Sequence, residues 1–276
     1  RLRVVGNAIV DDDCTTQVLR GVSVIDPFFM KLREGGPDEK QFRLLAQHWK
    51  AKIIRIPVHP DLWSDSYLKN YVDPIVEWGN KYGMYIFIGW HAHGNPITGE
   101  VEKPRWRNKL PWSGNPYNPD KQLAISALRE MVTRYKDKPW VIYGTFNEPS
   151  HITWIQWRPV ADELVDVIHA VDRRALVTVS GVNWGYDLSD VLWNPVNRDN
   201  VVYETHPYPP KGESWKSVVR TLSSKYPVLI GEWGFPQGAS EIGTTENYGE
   251  PLIDLANELG LGWTAWVWHY SWTPNM

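Results

Sequence analysis

The chain has 276 residues, 42% of them hydrophobic and 22% charged, which is ordinary for a soluble globular protein and enough for one large α/β domain. A formal net charge of −3 gives no basic surface for nucleic acid or for an anionic membrane, and no run of about 18 apolar residues is present to cross a bilayer. Cys14 is the single cysteine, so a disulfide within the chain is excluded.

Short β-branched runs alternate with amphipathic runs along the chain, a pattern typical of βα units around a parallel sheet. Several of these runs are almost continuously apolar, as strands buried on both faces should be. The sequence therefore predicts an α/β fold, a (β/α)8 TIM barrel that occupies residues 1–276 as a single domain. The predicted strands cover residues 17–25, 52–58, 84–91, 141–147, 175–181, 201–206, 228–232 and 261–268.

Helices are predicted between the strands, with Gly83 and Gly260 as helix stops. The connection after the fifth strand is short or irregular, around residues 186–192, and the eighth helix is expected to be short or absent. Residues 1–13, with the turn pair Gly6-Asn7, predict a small hairpin at the barrel floor. The long irregular stretch 92–119 is expected to have a functional role. The predicted helices cover residues 37–50, 67–82, 120–135, 160–171, 212–225 and 248–259.

Polar side chains follow the apolar strands at their carboxyl ends, where barrel enzymes place their active sites. An apolar strand normally ends without such groups, so their coincidence at one mouth is the main functional signal of the sequence. The strand ends offer Arg55, Trp90-His91-Ala92-His93, Asn147-Glu148-Pro149, His206-Pro207-Tyr208, Gly231-Glu232-Trp233-Gly234, and Trp266 with Trp268.

The pair Glu148 and Glu232 would lie on opposite sides of the mouth, after the fourth and seventh strands. Cleavage of a glycosidic bond with retention needs a carboxylate nucleophile and a carboxylic acid about 5–5.5 Å apart. Arg55 and Tyr208 are expected to donate hydrogen bonds that keep Glu232 ionised. Asn147 is expected to donate to the sugar 2-hydroxyl, a contact that strengthens in the transition state.

Taken together and in order, these motifs resemble glycoside hydrolase family 5 of clan A, from Arg20-Gly21-Val22 through Ile54-Arg55-Ile56-Pro57 to Trp266, over nearly the whole chain. The resemblance implies that Glu148 is the acid/base and Glu232 the nucleophile. It also implies that Trp266 is the platform beneath the reacting sugar and that Trp184 stacks a sugar on the leaving-group side. The polar shell that it implies consists of Arg55, His91, Asn147, His206 and Tyr208.

Other positions leave alternatives open. Phe28 and Phe29 stand where family members place a Trp for the next sugar outward, a departure that puts the strength of that subsite in question. His93 is either a substrate contact or a packing residue. Glu204 precedes His206 by two positions on the same face of its strand, deeper in the barrel, and is expected to pair structurally with Arg20 or Arg55.

An endo-acting β-1,4-glucanase of the cellulase type is the leading functional hypothesis, because the 17 Trp residues suit stacking on a polymeric glucan. A β-mannanase or a xyloglucan- or mixed-linkage-specific hydrolase would use the same machinery. A metal-dependent barrel hydrolase is disfavoured because its HxH pair belongs on the first strand, whereas His91 and His93 end the third. A non-catalytic carbohydrate-binding barrel would lack one of the two carboxylates.

The covalent route needs only two carboxylates and water, so no cofactor and no metal are expected. The expected partner is a β-glucan polysaccharide or oligosaccharide, with no nucleic acid and no membrane, and the protein is expected to be a monomer. Residues 1–10 lack the apolar core of a secretory signal, and a sequence that begins at Arg1 is compatible with a trimmed, secreted product. A secreted, extracellular protein is therefore expected.

Overall fold

The structure is a computed structural model that describes residues 1–102, 115–236 and 243–274. Eight strands form a closed barrel in the order β3-β4-β5-β7-β9-β10-β11-β12, and each neighbouring pair is parallel. This confirms the predicted (β/α)8 barrel. The barrel strands are β3 (Arg20–Val24), β4 (Ile53–Val58), β5 (Tyr85–Trp90), β7 (Val141–Gly144), β9 (Val177–Ser180), β10 (Val201–Thr205), β11 (Val228–Trp233) and β12 (Gly262–Trp268).

The strands read as apolar runs because the outer helices and the barrel interior bury both of their faces. All six residues of β4 are buried, and the charged Arg55 lies in the middle of that strand. Two further short strands, β6 (His93–Gly94) and β8 (Glu148–Pro149), pair in parallel beyond the ends of β5 and β7. They extend the third and fourth units into the barrel mouth, so that His93 lies opposite Glu148.

Helices occupy the connections between the strands, and their ends follow from capping residues. Asp38 and Asp120 cap the amino ends of their helices by accepting backbone hydrogen bonds, and Gly83 and Gly260 end theirs at φ values of 68° and 66°. The predicted glycine stops are thus confirmed. The helices are α1 (Pro27–Glu34), α2 (Glu39–Gln47), α3 (Asp73–Tyr82), α4 (Lys121–Tyr135), α5 (Trp154–His169), α6 (Trp215–Ser223) and α7 (Glu250–Leu259). One-turn π-helices, Leu68–Val72 and Thr245–Gly249, lead into α3 and α7.

Two helices depart from the prediction. Helix α1 is additional, and it begins where Asp26 accepts a hydrogen bond from the Phe28 backbone and Pro27 occupies the first turn. Helix α5 begins at Trp154 rather than at residue 160, because Thr153 and Gln156 form a capping box upstream of Pro159. Pro159 therefore lies inside the helix and does not mark its start.

The barrel floor is covered by the amino-terminal hairpin of β1 (Arg3–Val5) and β2 (Ala8–Val10), which confirms the predicted hairpin. Leu2 is buried against a cluster of residues from the amino-terminal halves of the strands, including Phe87 and Leu229. No helix follows β12 within residues 269–274. Among the residues that the structure describes, no helix has both the length and the hydropathy that a membrane crossing requires.

Candidate active site

The carboxyl ends of the parallel strands meet at one rim of the barrel and bring the predicted polar residues together. Glu232 lies within β11 and points into the mouth, where its carboxylate accepts two hydrogen bonds. Arg55 Nη1 donates to Glu232 Oε1 at 2.8 Å, and the Tyr208 hydroxyl donates to Oε2 at 2.9 Å. Burial and the charge of Glu232 raise the pKa of Tyr208 well above its ordinary value, so this phenol remains a donor.

Arg55 lies at the centre of a buried network of polar side chains, and only 1% of its own side chain is exposed. A second guanidinium nitrogen, Nη2, donates to Oδ1 of Asn147 in a short hydrogen bond. Its Nε lies 3.5 Å from Oε1 of Glu204, so the arginine that pairs with Glu204 is Arg55. Arg55 therefore holds Glu232 and Asn147 in a fixed relation, because a guanidinium presents its donors in a rigid plane.

Glu148 contacts two histidines from opposite sides. Nδ1 of His206 lies 2.9 Å from Glu148 Oε1, and Nδ1 of His93 lies 3.2 Å from Oε2. The Asn147 carbonyl faces Arg55, so its amide nitrogen donates to Nε2 of His93 at 3.0 Å. Because Nε2 of His93 accepts that bond, the proton of the neutral ring is on Nδ1, the nitrogen that faces Glu148 Oε2.

The two histidines that contact Glu148 have opposite protonation behaviour. Burial lowers the pKa of His93 to about 3, even though the charge of Glu232 acts in the other direction. Burial also acts to lower the pKa of His206, but the charge of Glu232 and the two carboxylates that His206 contacts raise it to about 10. At neutral pH, Glu148 therefore lies between a neutral His93 and a positively charged His206.

The two candidate carboxylates are close to one another. One oxygen of Glu148 and one of Glu232 lie within 4.8 Å of each other and of a ring nitrogen of His206. The spacing of these atoms would also admit a metal ion. However, both nitrogens of His206 already face carboxylate oxygens, of Glu148 and of Glu204, and a protonated imidazole is not a metal ligand. The site therefore fits proton transfer and covalent chemistry better than metal binding.

Aromatic rings line one wall of the mouth. Trp266 lies parallel to the His91 ring, with centroids 5.6 Å apart and planes 10° apart. Burial, together with the nearby His59 and His93, lowers the pKa of His91 well below 6.5, so that ring is neutral. Tyr117 stacks on His93, with ring centroids 3.7 Å apart. It belongs to residues 115–119, the last residues of the long third loop.

Trp184 lies on the other side of the mouth, in a tight loop after β9. Asn183 and Trp184 both adopt left-handed backbone conformations, with φ values of 56° and 59°, and the Trp184 amide donates to the Pro149 carbonyl. The Lys211 ammonium lies 4.0 Å from the centroid of the Trp184 ring. These contacts fix the orientation of the ring beside the strand that carries Glu148.

Phe28 lies on the helix that follows the first barrel strand. It is on α1, half-buried, and packs edge-on against Tyr71 with centroids 5.7 Å apart. Its helix begins directly after β3, and the neighbouring Phe29 is buried, with its ring centroid 5.7 Å from that of His59. The long-loop tryptophans Trp106 and Trp112, which could have contributed a cleft wall, lie outside the described residues.

Sequence reasoning missed Asp26 and His59, which support the wall beside His91. Asp26 accepts hydrogen bonds from the His59 backbone at 2.9 Å and from the Tyr67 hydroxyl at 2.6 Å. The His59 ring lies 4.6 Å from that of His91, between centroids. The sequence signal that could have identified Asp26 is its position, as a charged residue directly after the apolar first strand.

Three comparisons with known proteins agree with the fold. The sequence pattern of the family described as Cellulase (glycosyl hydrolase family 5) matches residues 10–271. Endoglucanase E-5 of Thermobifida fusca is 27% identical over 287 residues, which cover 96% of this chain and 55% of that protein. Endoglucanase A of Butyrivibrio fibrisolvens is 27% identical over 283 residues, which cover 98% and 60%. The chain thus spans about half the length of the curated relatives it matches.

Solved structures are similar over the whole chain. The native β-glucanase of Saccharophagus degradans superposes with a TM-score of 0.89 at 27% identity and covers all of this chain, which in turn spans 86% of that structure. The same protein in complex with cellotetraose gives a TM-score of 0.89 at 28% identity.

Proposed function

Because the chain belongs to glycosyl hydrolase family 5, we propose that it is a retaining, endo-acting glycoside hydrolase that cleaves β-1,4-glucan. The observation that carries the proposal is the approach of Glu148 and Glu232 oxygens to within 4.8 Å across the mouth. Retaining enzymes separate their carboxyl groups by about 5–5.5 Å, whereas inverting enzymes need about 6.5–9.5 Å to admit a water. The short separation therefore supports double displacement.

In the first step, a carboxylate oxygen of Glu232 attacks the anomeric carbon and the glycosidic C–O bond breaks. The proton of Glu148 passes to the departing oxygen, so the leaving chain departs as an alcohol. Arg55 and Tyr208 each donate one hydrogen bond to Glu232, which keeps the nucleophile ionised and correctly oriented. The product of this step is a covalent glycosyl ester on Glu232.

In the second step, Glu148 is a carboxylate and takes a proton from an incoming water, whose oxygen attacks the anomeric carbon. The ester bond breaks and Glu232 leaves as a carboxylate, so two inversions give net retention. Positively charged His206 lies beside Glu148 throughout and offsets its negative charge between the two steps.

The remaining site residues bind the sugar in this proposal. Asn147 uses one amide proton for His93 and retains a second for the 2-hydroxyl of the reacting sugar. Trp266 and His91 form the wall beside that sugar, and Trp184 stacks the first sugar of the leaving group. His93 acts through Glu148 rather than as a free sugar contact, because its Nε2 bonds to Asn147 and its Nδ1 faces Glu148. Phe28 contributes at most to a more distant sugar.

Glucan is the proposed substrate because the named relatives are endoglucanases and because the Saccharophagus degradans β-glucanase was solved with cellotetraose. A soluble or insoluble polymer of this kind does not cross membranes, so we also propose that the protein acts outside the cell. A monomer suffices for the mechanism, since every residue used comes from one chain. Size-exclusion chromatography with light scattering would test the monomer.

The test is hydrolysis of carboxymethylcellulose, lichenan, xyloglucan and mannan by the wild type, Glu148→Gln and Glu232→Gln, each with and without EDTA. We expect cleavage of the glucans that EDTA does not affect and that both variants lose. Glu258→Gln, which changes an exposed carboxylate paired with Arg220, is the matched control and should retain full activity. Preference for mannan would make mannan, and not glucan, the substrate. Sensitivity to EDTA would favour a metal-dependent hydrolase. Full activity of Glu232→Gln would exclude double displacement at Glu232.

A further inference from the structure

Glu204 is a buried carboxylate with no part in the steps above. It is 2% exposed and lies beneath the mouth on β10, two residues before His206, which directly follows that strand. Oε1 of Glu204 lies 3.0 Å from Nε2 of His206, and Oε2 accepts a hydrogen bond from the Thr178 hydroxyl at 2.6 Å. A charge this deep is costly unless it is paired, so its partners indicate what it is for.

The neighbouring backbone provides the space for this pair. A Cβ at Gly231 would overlap the Glu204 carboxylate, and a Cβ at Gly185 would lie 2.7 Å from Nδ1 of His206. Gly231 directly precedes Glu232, so the strand that carries the proposed nucleophile has no side chain at the position that Glu204 fills. The lack of a side chain at both glycines therefore leaves the space that the Glu204 carboxylate and the His206 imidazole occupy.

Both ring nitrogens of His206 face carboxylate oxygens, at 2.9 Å to Glu148 and at 3.0 Å to Glu204. A neutral imidazole carries one proton and leaves its other nitrogen as an acceptor. When Glu148 is a carboxylate, a ring with one proton would set an acceptor against a carboxylate oxygen in one of the two contacts. Only the doubly protonated ring donates to both.

We propose that Glu204 is a positioning residue for Glu148: it holds His206 doubly protonated, so that Nδ1–H remains directed at Oε1 of Glu148 throughout the reaction. This inference rests on the proposed function, because it has a consequence only if Glu148 transfers a proton. The fixed donor stabilises the carboxylate that Glu148 becomes when the leaving group takes its proton. Glu204 therefore assists departure of the leaving group without touching the substrate.

The charges around His206 agree with this role. Burial acts to raise the pKa of Glu204, but contacts with His206 and Arg55 hold it below its ordinary value, so the carboxylate is ionised. Burial acts to lower the pKa of His206, and the surrounding carboxylates raise it to about 10. The titratable and charged groups that face His206 are Glu148, Glu204, Glu232, Arg55, His91 and His93.

The alternative is that Glu204 only neutralises Arg55. That contact, from Arg55 Nε to Glu204 Oε1, is an ion pair of 3.5 Å, longer than the 3.0 Å contact to His206. The two routes end on different groups, since Arg55 acts on Glu232 and His206 acts on Glu148. Substrates that differ in their need for acid assistance therefore separate them.

The test compares Glu204→Gln with the wild type on cellotetraose and on an aryl β-cellobioside with a dinitrophenolate leaving group. Cellotetraose needs a proton from Glu148, whereas dinitrophenolate leaves without one. We expect kcat/KM for cellotetraose to fall about 10- to 100-fold, a part of the roughly 100- to 10,000-fold that general acid catalysis contributes, and that for the aryl glycoside to stay nearly constant. Equal losses on both substrates would assign Glu204 to Arg55 and overturn the proposal, as would no loss on either.

Two measurements extend the test. In the His206→Asn background, Glu204→Gln should cause no further loss on cellotetraose, because the route through His206 is already absent. Nuclear magnetic resonance of ¹⁵N-labelled wild type should show His206 protonated on both nitrogens at pH 8, and loss of one proton below that pH would overturn the proposal even if Glu204→Gln does not fold. If the wild type is inactive but His206 is protonated on both nitrogens, the proposed function is excluded, and Glu204 has no effect on the departure of a leaving group. The contacts of His206 with Glu148 and Glu204 would still stand.

Thr178→Val supplies a milder perturbation that keeps the volume and the charge of the Glu204 site. It removes the hydroxyl that donates to Glu204 Oε2. We expect a loss on cellotetraose of the same sign as in Glu204→Gln but smaller, with the aryl glycoside again unchanged. A larger loss on the aryl glycoside than on cellotetraose would contradict the proposal.

Discussion

The hydroxyl of Tyr208 donates a hydrogen bond to Oε2 of Glu232 across 2.9 Å. Arg55 occupies the other oxygen, so the two oxygens of the carboxylate are held by donors from β4 and from the loop after β10. A carboxylate held in this way keeps its charge and its plane, which is the preorganisation that a nucleophile requires.

Replacing Tyr208 with Phe removes one of these donors and leaves the ring in place. A hydrogen bond to a charged group contributes about 1.5–3 kcal/mol, which corresponds to a loss of roughly 10- to 150-fold in rate. We expect kcat/KM on cellotetraose to fall by about that factor. Tyr226→Phe, in a tyrosine that packs against Tyr203 outside the mouth, is the control and should be fully active. Wild-type rates in Tyr208→Phe would show that the hydrogen bond has no role in the reaction.

Arg55 should matter for stability and for activity in separable ways. Arg55→Ala removes the cation that contacts Glu232 and leaves that carboxylate buried, and breaking a buried pair costs about 3–5 kcal/mol. Arg55→Lys keeps a charge but cannot reach both Glu232 and Asn147. We expect denaturant unfolding to show a large loss of stability in Arg55→Ala and a smaller one in Arg55→Lys, with both nearly inactive. A fully active Arg55→Lys would show that charge alone suffices.

The two histidines beside Glu148 predict a maximum in the free energy of unfolding near pH 6.5. The pKa of His93 is about 3 in the folded state against 6.5 ordinarily, so its stabilisation is present above pH 6.5 and is lost as the pH falls toward 3. The pKa of His206 is about 10, so its stabilisation is present below pH 6.5 and is lost as the pH rises through 10. Denaturant unfolding between pH 4 and pH 10 measures both limbs.

Single variants separate these two limbs. His206→Asn should flatten the alkaline limb and leave the acidic one, and His93→Asn should do the reverse. An alkaline limb that is unchanged in His206→Asn would mean that this histidine is not protonated above its ordinary range.

Two strand glycines should tolerate a methyl group very differently. A Cβ at Gly231 would overlap the Glu204 carboxylate, whereas the atom nearest to a Cβ at Gly89 is Arg55 Nη2, at 3.7 Å. We expect Gly231→Ala to be strongly destabilised and inactive, since overpacking costs about 1–3 kcal/mol even in apolar cores. Gly89→Ala should unfold at nearly the wild-type denaturant concentration, and equal midpoints for the two variants would contradict the packing described.

The barrel and the rim residues could be predicted because each depends on local sequence. An apolar run followed by Asn147-Glu148-Pro149 indicates a buried strand that ends in polar groups, and the closed barrel brings such ends to one rim. The same reasoning predicted that Arg55, on the second strand, lies close to Glu232, on the seventh. The ends of the strands share one rim whatever their separation in sequence.

The contacts between strands were harder to predict. Glu204 and His206 were placed on one face of a strand by their spacing, but the approach of His206 to Glu148 joins the end of β10 to β8, and these two strands belong to different sheets. The position of Phe28 depends on Asp26, whose side chain starts a helix immediately after the strand. Such a helix is too short for its periodicity to be recognised in the sequence.

The most direct measurement of the central claim is azide rescue of Glu232→Ala, which removes the proposed nucleophile and leaves space for a small anion. With an activated aryl β-cellobioside and sodium azide, proton nuclear magnetic resonance should show recovered turnover and an α-glycosyl azide, formed by a single inversion at the anomeric carbon. Glu148→Ala under the same conditions should give the β-glycosyl azide, because the ester on Glu232 still forms first. A β-product from Glu232→Ala, or undiminished hydrolysis by that variant without azide, would contradict the assignment of Glu232 as the nucleophile.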